Sequence, residues 1–289
     1  MAVLLILLCG AGAFATQTLN SATGYGQMPS AAVAAMGEIE LSGAYVKTAG
    51  TNELSALRGS YPCDGSGYNA RVLGGVGDNL ELGIGYLKVD KDYGDATAFT
   101  VAAKTKIMAK SEQGWSLAAG ASYRDWSSDL RKAIPADMDT LIMELPSVTS
   151  LYLVLDKDWK GADSWQGKAS LGVVYDHFSD SQQRLESGAP FFVVPDDFPI
   201  SDTGKVKSQS FISPFVGLQF SRGEWSFIGD YKPQLEKDSF KYASEIWSAA
   251  VRKSCRSGLV VTAGMTNFNL PYTDSDGAFF IDLSYPIGK

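Results

Sequence analysis

Twelve times between residues 37 and 289 the chain alternates apolar and polar side chains with a period of two. Each run is about ten residues long, the length of a tilted strand that crosses a bilayer. Residues 37–48 put Ile39, Leu41, Gly43 and Tyr45 on one face against Glu38, Glu40, Ser42 and Ala44. Residues 79–89 put Leu80, Leu82, Ile84 and Tyr86 opposite Glu81, Gly83 and Gly85. Comparable runs occupy 67–76, 96–107, 115–124, 149–156, 167–177, 208–220, 225–231, 242–252, 258–268 and 278–285. Two of these are weaker: Pro214 interrupts one, and Glu245 shares a face with Trp247 in another.

Alternation also describes a soluble sandwich, so the face that meets the apolar medium has to come from other patterns. Connections alternate between short and generally longer, the latter including the one between the runs 79–89 and 96–107 and most prominently 125–148 and 178–207, which is the turn-and-loop asymmetry of a transmembrane barrel. Tyr45, Tyr86, Tyr123, Tyr175 and Tyr231 close the apolar face at the long-loop end, while Trp115, Trp225 and Tyr285 stand on that face at the other end. Two such girdles are where amphipathic rings settle at headgroup level. The opposite face carries Glu40, Arg71, Glu81, Lys104, Arg124, Lys168 and Asp230 among Gly, Ser and Thr, which suits a hydrogen-bonded lumen. The expected fold is therefore all-β: an antiparallel transmembrane β-barrel of about twelve strands, with short periplasmic turns and long extracellular loops. Closure leaves no edge strand facing lipid.

Composition narrows the chemistry. A net charge of −7 and no basic tract argue against a nucleic-acid partner. With 30 Gly, 13 Tyr and 14 Phe beside one His, the chain favours strands and turns and offers little for metal or acid–base work, so no cofactor or metal ion is expected. No run after residue 15 could cross a bilayer as a helix.

Residues 1–15 read as an export signal peptide, with Ala13-Phe14-Ala15 fitting the cleavage rule, although no Lys or Arg opens the segment. The blander alternative is a buried N-terminal element; Cys9 as a lipidation site is a minor one, with bulky Leu8 before it. Export leaves Cys63 and Cys255, placed by the expected topology at opposite ends of an apolar band about 25 Å tall, too far apart to bridge. The chain thus divides into a signal (1–15), a leader or lumen plug (16–36) and an outer-membrane barrel (37–289).

The leader contains Gly24-Tyr25-Gly26-Gln27-Met28-Pro29-Ser30-Ala31, followed by residues 32–36 and Gly37. Pro29 can open a helical turn and 31–36 favours helix, so a short helix folded into the lumen is one expectation and a disordered leader the other. This motif resembles the G-x-x-x-x-[TM]-P-[ST]-A segment that precedes the first strand of YjbH-like outer-membrane barrels, with Gly24, Gly26, Pro29 and Ser30 as its marked positions. The hairpins 215–231 and 248–268 resemble that family's repeats. The resemblance implies a Gram-negative outer-membrane location and an association with exopolysaccharide or capsule systems.

Other chemistry is thin. Asp176 and His177 are adjacent on a strand and face opposite sides, and no G-x-S-x-G nucleophile motif accompanies them. Gly74-Gly75-Val76-Gly77 lacks the Lys-Ser/Thr of a phosphate loop, and Asp196, Asp197 and Asp202 lack EF-hand spacing. The leading expectation is a non-enzymatic, porin-like channel or secretion accessory for polar material, polysaccharide by the resemblance. Its expected partners are outer-membrane lipid and secretion-machinery components or polysaccharide. A surface-exposed adhesion barrel and a barrel-borne hydrolase are the alternatives. On the face assignment, Leu82→Arg should be costly and Glu81→Gln cheap.

Overall fold

The computed structural model describes residues 24, 27–48, 51–54, 59–62, 65–91, 94–134, 138–143, 145–186, 205–206, 208–233, 245–267 and 277–287. Among them twelve strands close into an antiparallel barrel, and no helix occurs. The strands are β1 Ile39–Thr48, β2 Gly65–Gly75, β3 Leu80–Lys91, β4 Gly94–Met108, β5 Trp115–Ile134 and β6 Val148–Lys160. The second half comprises β7 Gln166–Phe178, β8 Gln209–Arg222, β9 Trp225–Lys232, β10 Ile246–Ser254, β11 Val260–Thr266 and β12 Ala278–Ile287. Each pairs with its neighbours in sequence, and β1 meets β12 from Ile39↔Ile287 to Thr48↔Ala278, so the ring has no edge.

One end of the barrel carries five short turns, at 76–79, 109–114, 161–165, 223–224 and 255–259. Gly114, Gly223 and Gly258 adopt positive φ there (84°, 59° and 86°), a conformation in which a Cβ is strained. The loop end departs from expectation in two ways. The β3–β4 connection is residues 92–93 alone, because both strands run beyond the apolar band. The long connections also carry sheet: β5 continues to Ile134 and pairs with Met138–Met143, which pairs with Ser181–Glu186, which in turn meets Lys205–Val206. Past the bilayer, ladder formation needs backbone groups but no apolar face, so alternation cannot reveal it. A small hairpin, Thr51–Leu54 with Gly59–Pro62, rises from the first loop.

Exposure assigns the faces. Leu82 is 45% exposed and Leu171 59%, whereas Glu81 is 1% exposed. Large apolar side chains cover the outside of every strand, far more contiguous apolar surface than a soluble monomer presents. The belt therefore faces lipid. Tyr86, Tyr123, Tyr175 and Tyr231 are exposed on it near the loop end and Tyr45 is half-buried there, while Trp115, Trp225 and Tyr285 occupy the turn end. Pro214 sits on the outer face opposite Val173, where the β8–β9 ladder has already ended at Val216↔Tyr231. In β10, Ser248, Ala250 and Arg252 turn inward, and Glu245 precedes the strand. Leu171→Arg puts a cation at mid-bilayer and should cost about 2–4 kcal/mol of folding stability. Urea-driven unfolding in lipid vesicles would measure this; no loss would mean that the outer face is not in lipid.

Candidate functional site

The interior is lined by the residues in opposite phase to the belt. Glu40, Arg71, Glu81, Lys104 and Asp230 are buried, while Arg124 and Lys168 are half-buried. Buried charges are costly unless paired, and several of these are paired across strands. Lys104 Nζ lies 2.9 Å from Glu81 Oε1, on residues opposite each other in β3 and β4. Arg71 on β2 holds Asp282 on β12. Lys232 Nζ donates to Asp176 Oδ2 at 2.9 Å, and Ser150 Oγ donates to Asp176 Oδ1 at 2.6 Å. Arg124 reaches Thr100 Oγ1 at 3.2 Å and lies over the Trp126 ring, 5.8 Å from its centroid.

Asp156, Asp176, Lys232, Arg252 and Asp282 belong to the same lining and were not picked out as lumen residues from the sequence. Their signal was available, since each alternates with the lipid-facing residues of its strand. Less legible was an apolar nest inside the barrel, formed by Ala118, Tyr152, Val154, Val174 and Phe215. Phe215 lies flat across Gly172 of β7, where a Cβ would stand 2.2 Å from the ring, so this aromatic needs glycine beside it.

The leader occupies the lumen. Gly24 O accepts from Arg252 Nη2 at 3.5 Å near the turn end, and Gly24 bridges back to Pro29. Gln27 and Met28 lie towards the loop end. There the Gln27 and Met28 amides donate to Asp230 Oδ2 at 2.8 and 3.3 Å, and the Gln27 side-chain amide donates to Thr266 Oγ1. The returning limb is held from several strands at once. Ala31 N donates to Asp156 Oδ2 at 2.9 Å, Lys104 Nζ donates to Ser30 O at 3.2 Å, and Ala34 N donates to Glu81 Oε2 at 2.8 Å. Met28 and Ala31, the latter 0% exposed, pack into the apolar nest.

No helix forms at 31–36, correcting the expectation of a helical turn. The carboxylates of Asp156 and Glu81 take the Ala31 and Ala34 amides, and a charged acceptor outcompetes a carbonyl in a low-dielectric interior. The chain leaves the lumen through a tight turn at Gly37 (φ 77°), with Gly37 N donating to Gly75 O at 3.0 Å. Gly75 is glycine for a steric reason: a Cβ there would stand 1.9 Å from Ala35 O. Tyr25, Gly26, residues 1–23, Cys9, Cys63 and the acidic loop residues Asp196, Asp197 and Asp202 lie outside the described residues.

Cys255, at the β10–β11 turn, is disulfide-bonded, with its partner sulfur outside the described residues; the expectation that Cys63 and Cys255 do not bridge falls on Cys63, which lies outside them too. One further expectation changes. Glu81→Gln can no longer be expected to be cheap, because Glu81 neutralises Lys104 and holds the leader. Asp176 and His177 do part to opposite faces: Asp176 pairs with Lys232 inside, and His177 Nδ1 lies 2.9 Å from Ser210 Oγ on the outside.

Solved outer-membrane barrels share this fold. The translocator domain of autotransporter NalP from Neisseria meningitidis matches with a TM-score of 0.53 at 12% identity, over 86% of this chain and 88% of that one. The beta domain of the Bordetella autotransporter BrkA matches with the same score and identity, over 86% of this chain and 99% of that one. At this identity the likeness is one of fold. No protein-family model and no curated relative matches the sequence.

Proposed function

We propose that this chain is a non-enzymatic barrel of the Gram-negative outer membrane that serves passage or secretion of polar material, and that its own leader plugs the lumen. The observation that carries the reading is the set of side chains spent on the leader's backbone. Asp156, Asp230 and Glu81 accept from its amides, and Lys104 and Arg252 donate to its carbonyls. Side chains from five strands converging on one extracted segment is a costly arrangement for a mere tether. It suits a stopper whose contacts are hydrogen bonds that water can replace when it leaves. The resemblance of residues 24–37 to YjbH-like barrels supports polysaccharide as the material, and the translocator domains of similar fold support a secretory role.

Planar-bilayer recording tests the reading. The full-length chain should be closed most of the time, and Asp156→Ala combined with Asp230→Ala should lengthen its openings by loosening the leader. If the double variant inserts, shows heat-modifiable migration on SDS gels and still stays silent, a surface-exposed structural or adhesion barrel becomes the better reading.

A further inference from the structure

At the turn end the lumen widens into a cavity of about 660 Å³ beneath the leader, with Gly24, Ser30 and Ala32 forming part of its wall. Its charged lining is Lys110, Lys157, Lys160, Lys168 and Arg252 against Glu112 and Asp158, an excess of three positive charges in a chain whose net charge is −7. Gln113, Gln166, Gln219 and Ser221 supply most of the remaining side-chain polar groups. Lys110 pairs with Asp158 at 2.6 Å and Lys168 lies 3.7 Å from Asp156, as the cations deeper in the lumen pair with carboxylates, so Lys157, Lys160 and Arg252 against Glu112 set the excess at this mouth. Excess positive charge at a concave mouth focuses field lines and raises the local concentration of anions. Amide and hydroxyl lining favours a hydroxyl-rich ligand over an apolar one.

We propose that this vestibule is a docking site for a carboxylate-bearing oligosaccharide segment arriving from the periplasm. The ligand would sit against the leader, so that occupancy and plug position are coupled. This deepens the passage reading by naming its substrate class, but the binding itself requires no conduction.

The test uses the full chain in detergent. Hexagalacturonate is titrated by calorimetry, with maltohexaose as the neutral chain of equal length and inorganic phosphate as a small anion. Hexagalacturonate should bind in a salt-sensitive manner and maltohexaose should not. Lys110→Glu combined with Lys160→Glu, both at the rim and away from the leader's anchors, should weaken binding by about tenfold or more without altering heat-modifiable migration. Equal binding of maltohexaose, an unchanged affinity in the double variant, or displacement of the hexamer by phosphate at equal charge would each overturn the assignment. Silent bilayer recordings with hexagalacturonate binding intact would instead remove the passage reading and leave the site standing.

Discussion

Deleting residues 16–35 should raise single-channel conductance several-fold while the barrel still inserts. The deletion removes no part of β1–β12, so the ring of backbone ladders that makes the structure compatible with lipid survives. What it removes is the segment whose Met28 and Ala31 fill the apolar nest and whose amides engage Asp156, Asp230 and Glu81. Those carboxylates then face an open lumen and take water as their partner, which turns a packed interior into a hydrated path. A correctly inserted deletion variant with unchanged conductance would mean that the remaining side chains, Phe280 and the Arg71–Asp282 pair among them, close the lumen by themselves. The leader would then be a tether or a docking segment. Gly75→Val should move conductance in the same direction for a local reason, because its side chain cannot coexist with the Ala35 carbonyl 1.9 Å from the Cβ position.

Glu81→Gln should destabilise the barrel by about 3–5 kcal/mol, the cost of removing one partner of a buried ion pair. Lys104 is fully enclosed, with its ammonium 2.9 Å from Glu81 and 3.2 Å from the Ser30 carbonyl, and a neutral amide cannot balance it. Combining Glu81→Gln with Lys104→Met removes both charges and should recover most of the loss, since apolar replacement of a whole buried pair is often near neutral. Unfolding of the two variants in lipid vesicles would measure the difference. Equal losses in the single and double variants would show that the pair is hydrated and that the lumen is wetter than its geometry indicates. The same experiment separates the two ends of the barrel, because the rim pair Lys110–Asp158, with Lys110 well exposed, should be worth little.

The barrel was legible because lipid imposes its demand locally. Every second residue of each membrane strand must be apolar, so Leu80, Leu82 and Ile84 declare a face without reference to anything distant in the chain. The girdle tyrosines are legible for the same reason, as is the inward placement of Glu81, Lys104 and Arg71. Where that demand ends, so does the signal: the continuation of β5 to Ile134 and its pairing with Met138–Met143 lie beyond the bilayer and left no period-two apolar mark.

The path of the leader depended on tertiary structure. Residues 31–36 have good intrinsic helix propensity, yet the amides of Ala31 and Ala34 go to Asp156 and Glu81, 125 and 47 residues away in sequence. Local propensity is worth tenths of a kcal/mol per residue, and charge-assisted hydrogen bonds in a closed lumen outweigh it. Which carboxylate meets which amide follows from barrel closure and register, and neither can be read from a single segment. The alternation of residues 37–289 by itself determined that the chain makes a barrel with a lipid-facing belt, because burial in a bilayer is a one-residue property. What fills that barrel was decided only when twelve strands had closed around the leader, because pairing of buried polar groups is a property of the whole ring.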